Sequence, residues 1–307
     1  MSNRRDVGGG ECSKPRVVVG MPVHNGGDTL AAAVQSMLTQ EGVELTGVVS
    51  DNWSTDGTAS VVAELAAGDP QLHAFRPDHL LTPTDSFLFV LDQARTHDPD
   101  FFTWLAADDV LLDGYLERAV AQLRREPGAE FVTADAEFVS AVSSERLSVR
   151  CIAPGLSSTT AARRLLTYAC LSRWNEIYSV FRASALDQLS LLEGDFGTDV
   201  TLIWRLLLRG PAARLDMVGT RYSIRSDGPQ DKVARLRYKL GRARSGRPPN
   251  WHGLWCDLYR VAADAPTSTI RRQARAVLVV AAFHPNWLRK FTEEALRRAI
   301  YSTRRRS

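Results

Sequence analysis

The chain has 307 residues and a mass of 33.9 kDa, enough for one large α/β domain with an appendage. Its hydrophobic content of 44% excludes wholesale disorder, and its longest strongly apolar run, 276–283, is far shorter than the roughly 20 residues that a membrane-spanning helix needs. Residues 1–231 carry 20 Lys and Arg against 31 Asp and Glu, whereas residues 232–307 carry 18 against 4. The C-terminal segment is therefore expected either to meet an anionic surface or to carry solvated charge.

The cysteines Cys12, Cys151, Cys170 and Cys256 are widely separated and form no CxxC pair. This spacing argues against a zinc site and against a disulfide framework, and it favours a reducing cytoplasm. The polar, glycine-rich residues 1–14 predict a disordered leader without the apolar core of a signal peptide.

Strand and helix patterns alternate through the first 125 residues. Apolar runs predict strands at 17–21, 45–50, 72–75 and 101–106. Asp28 or Thr29 is expected to cap the first helix, and Thr84 the helix that follows the third strand. Strands that alternate with helices of this length predict βαβ crossovers and a mainly parallel sheet.

The pattern is mixed beyond residue 130. Further strands are predicted at 130–134, 176–181 and 215–218, with a hairpin that joins 136–142 to 147–152. A helix is expected at 200–208, and from residue 231 onward the pattern predicts only helices and loops, with 241–249 as a flexible connector.

The strand that contains Trp104 ends in two adjacent carboxylates, Asp108 and Asp109. Neighbouring carboxylates repel each other unless a cation or hydrogen-bond donors compensate them. Open α/β sheets bind ligands at the carboxyl ends of their strands, and a hard divalent cation that bridges to phosphate accounts for the pair. The alternative is that one of the two caps the following helix.

Three segments in order, VVVGMPVHN (17–25), DNWSTDGT (51–58) and LAADD (105–109), resemble the successive motifs of family-2 glycosyltransferases with the GT-A fold. The resemblance is strong over 15–125 and weaker over 175–225. It implies an α/β fold with a mainly parallel, Rossmann-like sheet flanked by helices. It further implies a glycosyltransferase domain at 15–230, with a nucleotide-binding half to residue 125 and an acceptor half from 126, followed by a basic helical C-terminal region at 231–307.

The resemblance also implies roles for the first two motifs. Four residues would line the nucleotide base: Pro22, Val23, His24 and Asn25. His24 stands where an aromatic ring usually stacks on the base, and Asp51 would accept a hydrogen bond from the N–H edge of uracil or another base. The alternatives are that His24 is a turn histidine without a ligand and that Asp51 caps the turn at 54–56.

Within the acidic motif, the resemblance makes Asp109 the ligand of Mn²⁺ or Mg²⁺, while Asp108 would contact the ribose or share the metal. Such a cation stabilises the departing nucleoside diphosphate as a Lewis acid. The sequence departs from the family pattern at Ala106, where many relatives place an Asp, and at 221–227, which lacks the usual His. Arg225 in that stretch is a candidate to bind the diphosphate directly, which puts metal dependence in doubt.

The stretch 194–210 is similar to the acceptor-side motif, in which a carboxylate deprotonates the attacking hydroxyl. Asp199 is the predicted base because it stands at the start of the predicted helix, with Asp195 and Glu193 as substitutes. The alternative is that Asp199 only caps this helix. The implied reaction is inverting transfer of a sugar from a nucleotide-diphosphate sugar, UDP favoured, to a hydroxyl, and the alternative function is a non-catalytic nucleotide-sugar-binding or scaffold protein.

The C-terminal residues 285–307 predict a basic amphipathic helix with one apolar stripe of Leu288, Phe291, Ala295 and Ala299. Such a helix can lie on an anionic membrane, or it can pack on the catalytic domain with its arginines in water. No nucleic-acid-binding motif accompanies the charge. The expected setting is the bacterial cytoplasm or the inner face of the membrane, with a glycan, a lipid-linked sugar or a small molecule as the acceptor.

Overall fold

The computed structural model describes residues 13–140, 143–150, 153–171, 175–187, 197–224, 250–292 and 294. These residues contain nine strands: β1 (Arg16–Val23), β2 (Glu44–Asp51), β3 (Leu72–Phe75), β4 (Phe101–Trp104), β5 (Val110–Leu111), β6 (Phe131–Ser140), β7 (Arg146–Arg150), β8 (Val180–Arg182) and β9 (Ala213–Ile224). The α-helices for which both ends are described are α1 (Leu30–Leu38), α2 (Thr58–Gly68), α3 (Pro83–Arg95), α4 (Tyr115–Arg125), α5 (Ala161–Leu171), α6 (Thr198–Arg209), α7 (Trp251–Val261) and α8 (Ser268–Ala282).

One sheet holds all nine strands in the order β3-β2-β1-β4-β8-β6-β9-β5, with β7 paired to β6. β1 pairs in parallel with both β2 and β4, and β2 pairs in parallel with β3. The chain adds β2 and β3 on one side of β1 and then places β4 on the other side. This reversal opens a crevice at the carboxyl ends of β1 and β4, the usual ligand position in such sheets.

The strand β1 is apolar on both faces because helices cover the sheet on both sides. Val17, Val19 and Met21 join one buried cluster, while Val18 between them joins the other. Side chains alternate across a strand, so a continuous apolar run fills two layers at once. The four strands predicted for this half are confirmed, with boundaries that shift by two residues or fewer.

The second half of the sheet mixes directions. β8 runs antiparallel to β4 and β6, β9 runs parallel to β6, and the short β5 runs antiparallel to β9. The predicted hairpin appears as β6 paired antiparallel with β7. The predicted α/β class with a Rossmann-like sheet is confirmed, and the parallel pairing is concentrated in the first half.

Three local predictions are wrong. Neither Asp28 nor Thr29 caps α1 with its side chain, because a 3-10 turn at Gly27–Thr29 precedes the helix and the Thr29 hydroxyl donates to the carbonyl of Gly26. Thr82 rather than Thr84 caps α3: its hydroxyl accepts from the backbone N–H of Asp85, and Pro83 takes the first helical position, where its missing N–H costs nothing.

The third concerns the strand predicted at 176–181. Residues Glu176–Tyr178 form a 3-10 turn, and only Val180–Arg182 pair as a strand. The turn redirects the chain just before β8, which presents the side chain of Tyr178 to the crevice.

The C-terminal helices α7 and α8 pack on α5 and α6 and share their buried apolar cluster. Residues 285–292 are helical as well. Trp287 is fully buried and its indole N–H donates to the carbonyl of Ala169 at 2.8 Å. The described start of the predicted amphipathic helix therefore packs on the domain, and its inward face contains Trp287 and Phe291 while Leu288 is exposed. Residues 1–12 of the predicted leader, the connector and the chain end after residue 294 lie outside the described residues.

Candidate active site

A cleft of about 320 Å³ lies at the crevice between β1 and β4. Five residues that the sequence predicted for donor binding line it: Pro22, Val23, His24, Asn25 and Asp108. The remaining lining residues are Gly26, Thr29, Phe87, Ala106, Ala107 and Tyr178. The turns after β1 and β4 therefore share one cavity, although about 80 residues separate them in the chain.

Hydrogen bonds between side chains and the backbone fix the turn after β1. His24 Nδ1 lies 2.7 Å from the carbonyl oxygen of Asn52, so this nitrogen carries the proton and donates. The backbone N–H of Asn25 donates to the hydroxyl of Ser54 at 2.8 Å, and the Asn25 side-chain carbonyl accepts from the N–H of Thr55 at 2.8 Å. The first two predicted motifs are thus bonded to each other, and His24 is held at the cleft in one tautomer.

Asp51 is engaged within its own turn. It lies opposite Val23 in the sheet, is 2% exposed, and accepts a hydrogen bond from the backbone N–H of Ser54 at 3.1 Å through Oδ1. Its Oδ2 lies 3.0 Å from a guanidinium nitrogen of Arg76. Asp51 therefore does cap the turn that follows it. It lies beside the cleft and is not one of the lining residues. Arg76 was missed because nothing in its surrounding sequence marks it.

Arg76 also stacks on Trp53, with its guanidinium carbon 4.9 Å from the ring centroid. Trp53 has a φ of 57°, in the left-handed region where glycine is the usual residue. Its indole N–H donates to the carbonyl of Pro77 at 2.9 Å. Together these contacts hold the strained residue and orient the arginine toward Asp51.

Neither member of the acidic pair caps a helix. β5 follows Asp109 directly, and α4 begins only at Tyr115 after Gly114. Asp109 is 6% exposed and accepts a hydrogen bond from the backbone N–H of Ser223 at 3.0 Å. Burial, together with the negative charge of Asp108, raises the pKa of Asp109 to about 7, partly offset by this hydrogen bond. The pair is therefore deficient in positive charge.

The donor set suits a divalent cation that takes most of its ligands from a substrate. Within the described parts of the chain, no three His, Cys, Asp or Glu side chains cluster closely enough to hold a metal by themselves, and no Lys or Arg pairs with Asp108 or Asp109. Mg²⁺ and Mn²⁺ are commonly held by one or two carboxylates and the phosphates of a bound nucleotide. The residues present fit that arrangement. Arg225, the other predicted phosphate ligand, lies outside the described residues.

Asp199 is the second residue of α6, and the cap position before the helix belongs to Gly197. Gly197 has a φ of 77°, and an added Cβ would lie 2.7 Å from Leu254 in α7, so glycine is required there. Burial raises the pKa of Asp199, while hydrogen bonds from the backbone N–H groups of Val200 and of Asp199 itself oppose this effect. The helix-capping interpretation is incomplete, since Asp199 is a partly buried acid in the first turn of α6. Its predicted substitutes Glu193 and Asp195 lie outside the described residues.

Tyr178 joins the two halves of the site, and sequence reasoning missed it. It lines the cleft and packs against Tyr222, with ring centroids 5.8 Å apart. Burial raises the pKa of Tyr178, and the negative charges of Asp109, Asp108 and Asp199 raise it further. The phenol is therefore protonated at neutral pH and lies within the electrostatic reach of all three carboxylates. A strand prediction over 176–181 gave no signal that this side chain faces a cleft.

Comparison with known proteins agrees with this architecture. The family model described as glycosyl transferase family 2 matches residues 18–180. S. aureus TarS 1-349, solved in complex with UDP-GlcNAc, is similar with a TM-score of 0.64 and 15% sequence identity, over 88% of this chain and 72% of that one. The mannosyltransferase PcManGT of Pyrobaculum calidifontis, in complex with GDP-Man and Mn²⁺, has a TM-score of 0.51 and 17% identity, over 94% and 86%.

No curated protein sequence matches the chain. At these identities the solved structures establish the fold alone, which is GT-A. The family model covers more than half of the chain and begins within β1, at the first of the three motifs. The chain therefore belongs to glycosyl transferase family 2 and is a glycosyltransferase.

Proposed function

We propose that the protein transfers a sugar from a nucleoside-diphosphate sugar, with UDP-sugars favoured, to an acceptor hydroxyl with inversion at the anomeric carbon. One observation carries the proposal. Tyr178 lines the same cleft as the turn after β1 and lies within the electrostatic reach of Asp108, Asp109 and Asp199. A donor seated between these groups would have its diphosphate near the acidic pair and its sugar toward Asp199.

On the donor side, the nucleotide base would lie along the turn at Pro22–Asn25, with its face on the imidazole of His24. Asp51 would accept from the N–H edge of the base. The preference for UDP draws support from the likeness to TarS, which was solved with UDP-GlcNAc, although PcManGT was solved with GDP-Man. Asp51 would keep its interaction with Arg76 while it binds the base, since a carboxylate has several acceptor positions.

On the acceptor side, Asp199 would act as the general base. It takes the proton of the acceptor hydroxyl while that oxygen forms a bond to the anomeric carbon from the face opposite the phosphate. The bond from this carbon to the phosphate oxygen breaks, and the nucleoside diphosphate leaves with the electron pair. A partly buried carboxylate with a raised pKa is a stronger base than an exposed one, which suits this role.

Asp109, with or without Asp108, would hold Mn²⁺ or Mg²⁺ at the diphosphate. When bound, the cation supplies the Lewis-acid stabilisation that a departing diphosphate needs. Tyr178 would exclude water beside the reacting carbon and offer one hydrogen-bond donor to the sugar or to Asp199. Arg225 is the predicted second phosphate ligand.

The test is a thermal-shift panel of UDP- and GDP-sugars with and without Mn²⁺, followed by a turnover assay on the donor that stabilises most. The proposal predicts release of the nucleoside diphosphate with a suitable acceptor and formation of a product of inverted configuration. Retained configuration would refute the inverting mechanism. Donor binding without turnover on a broad panel of sugar, glycolipid and small-molecule acceptors would instead favour the non-catalytic binding role.

A further inference from the structure

The C-terminal end of the outer face of α8 is apolar although nothing in the described structure covers it. Ala274, Val277, Leu278 and Ala281 point inward, as the buried stripe of a surface helix should. On the opposite face, Val279, Val280 and Phe283 are 61%, 62% and 75% exposed. Val279 and Val280 are adjacent, and Phe283 lies about one turn further along the same side of the helix end.

Two more exposed leucines belong to the same corner of the molecule. The backbone N–H of Leu288 donates to the carbonyl of His284 at 3.1 Å, which begins the next helical segment immediately after α8. The side chain of Asn286 donates to the carbonyl of Cys170 at 2.9 Å and so ties this segment to the end of α5. Leu288 is 48% exposed and Leu171 is 62% exposed. We call these five residues the α8 surface: Leu171, Val279, Val280, Phe283 and Leu288.

The surroundings of the α8 surface are cationic. Arg272 is exposed two turns before Val279 and Val280, and Arg289 is exposed beside Leu288. The acidic residues between 250 and 292 are already paired, Asp257 with Arg260 at 2.6 Å and Asp264 with Arg205 at 3.5 Å. The described residues 250–292 as a whole carry six Lys and Arg against two Asp and Glu.

We propose that the α8 surface docks this protein on an anionic phospholipid membrane, with its five apolar side chains at the headgroup boundary and the surrounding arginines on lipid phosphates. Apolar side chains flanked by basic ones are the general composition of a monotopic membrane contact. A second copy of the chain is the less favourable occupant, because two such cationic surfaces would repel each other. Among the described helices, none is long and apolar enough to cross a membrane.

This surface differs from the one expected from the sequence. That prediction placed the apolar stripe on residues 288–299, yet Phe291 in this stretch packs into the domain beside the buried Trp287. The exposed apolar area instead lies mainly on α8, and only Leu288 is common to the two. The proposal is independent of the transfer reaction, because lipid binding needs neither donor nor acceptor.

The test is sedimentation of the full chain with vesicles of phosphatidylcholine, with and without phosphatidylglycerol, at low and high salt. Binding should require phosphatidylglycerol and should weaken as salt rises. Phe283→Ser and Val280→Ser should each weaken binding about tenfold, since each removes an apolar side chain from the lipid contact. Leu147→Ser is the matched control, because Leu147 is 50% exposed on β7 and lies outside the α8 surface.

Each variant needs a melting temperature close to that of the parent protein, which their exposure leads us to expect. Absence of sedimentation with either vesicle would overturn the proposal, as would equal weakening by Leu147→Ser. Equal binding to vesicles with and without phosphatidylglycerol would refute the proposed contact between the arginines and anionic lipids. Concentration-dependent dimerisation that Phe283→Ser abolishes, seen by analytical ultracentrifugation without lipid, would assign the α8 surface to a second copy instead.

Discussion

The turn after β2 and the turn after β4 both follow a buried parallel strand with carboxylates, and the protein balances the two charges differently. Asp51, the last residue of β2, has a backbone N–H on one oxygen and the guanidinium of Arg76 at 3.0 Å from the other. Asp109 after β4 has one backbone N–H and, beside it, the second negative charge of Asp108. Burial is similar at the two sites, so the difference lies in the neighbours.

In the turn after β2, a residue of the protein compensates the carboxylate charge. In the turn after β4, that compensation has to come from a ligand. At Asp51 the cation is part of the chain, so the carboxylate and the loops around it are fixed before any substrate arrives. At Asp109 the pKa of about 7 shows how costly the second charge is without a cation. We infer that the first turn positions the base of the nucleotide and that the second recruits the metal and the diphosphate.

The largest expected effect concerns Asp199, the proposed base that deprotonates the acceptor hydroxyl as it attacks the donor held at the two turns. Asp199→Asn should lower turnover by about 10²–10⁴-fold, because the acceptor hydroxyl loses its proton acceptor. Donor binding measured by calorimetry should not change, and the free energy of unfolding should change by no more than about 1 kcal/mol. In the parent protein, turnover should rise with pH as Asp199, whose pKa is raised, becomes ionised.

Glu117→Gln is the control for that substitution, since Glu117 is an exposed acid in the first turn of α4. It should leave turnover unchanged. Full activity in Asp199→Asn would move the role of base to Asp195 or Glu193.

The next effect tests whether the turn after β4 is the metal-binding one. Asp109→Asn should abolish the part of UDP binding that depends on Mn²⁺, because the cation loses a charged ligand. Calorimetry with and without Mn²⁺ measures this difference, with the nearby exposed Asp113→Asn as the control. A Mn²⁺-dependent component that persists in Asp109→Asn would show that the metal lies elsewhere or is not used.

The same substitution has a pH-dependent effect on stability in buffer without divalent cations. The folded state holds the proton of Asp109 up to about pH 7, whereas the unfolded chain releases it near the ordinary value of 3.8. Stability is therefore lost as pH rises between these values. Above pH 7, the free energy of unfolding of Asp109→Asn should be up to about 4 kcal/mol higher than that of the parent protein, so the variant is the more stable of the two. Near pH 4 the two values should be alike. Denaturant titrations at both pH values measure this, and equal stability at pH 8 would contradict it.

A smaller loss of stability is expected at the turn after β2, where Arg76 already balances the charge of Asp51. Arg76→Gln leaves the buried Asp51 without its cation, and it should lower the free energy of unfolding by about 1–2 kcal/mol. The loss is limited because the Arg76 side chain is 45% exposed and solvent screens the pair. The double variant with Asp51→Asn should recover part of the loss, whereas the exposed Arg125→Gln should have little effect. If the stability changes of the two single variants simply add up in the double variant, Arg76 and Asp51 are not coupled.

The smallest effect tests the link between the first two motifs. Ser54→Ala removes the acceptor of the Asn25 backbone N–H and should cost about 0.5–1.5 kcal/mol of stability, with a modest loss of nucleotide affinity. The exposed Ser60→Ala in α2 is the control. Unchanged affinity would mean that the turn after β1 keeps its shape without this bond.

Much of the donor half was predictable because its signals are local. The apolar run in β1 and the turn residues after it depend on neighbours in the chain, and so do the adjacent carboxylates at 108–109. Parallel strands bring such turns to one edge, so the grouping of Pro22–Asn25 with Asp108 followed from the pattern. The cap of α3 was misplaced by two residues because Thr82 and Thr84 both flank Pro83, and local sequence could not choose between them.

By itself, the sequence determined the α/β class, the order of the motifs and the identity of the acidic groups, since alternating apolar periods and turn residues act over a few residues. Only the tertiary structure decided which charges are compensated. Arg76 reaches Asp51 across 25 residues, Ser223 reaches Asp109 across 114, and the turn before β8 brings Tyr178 into the cleft. Such contacts depend on how distant strands align in the sheet, and no local pattern encodes that alignment.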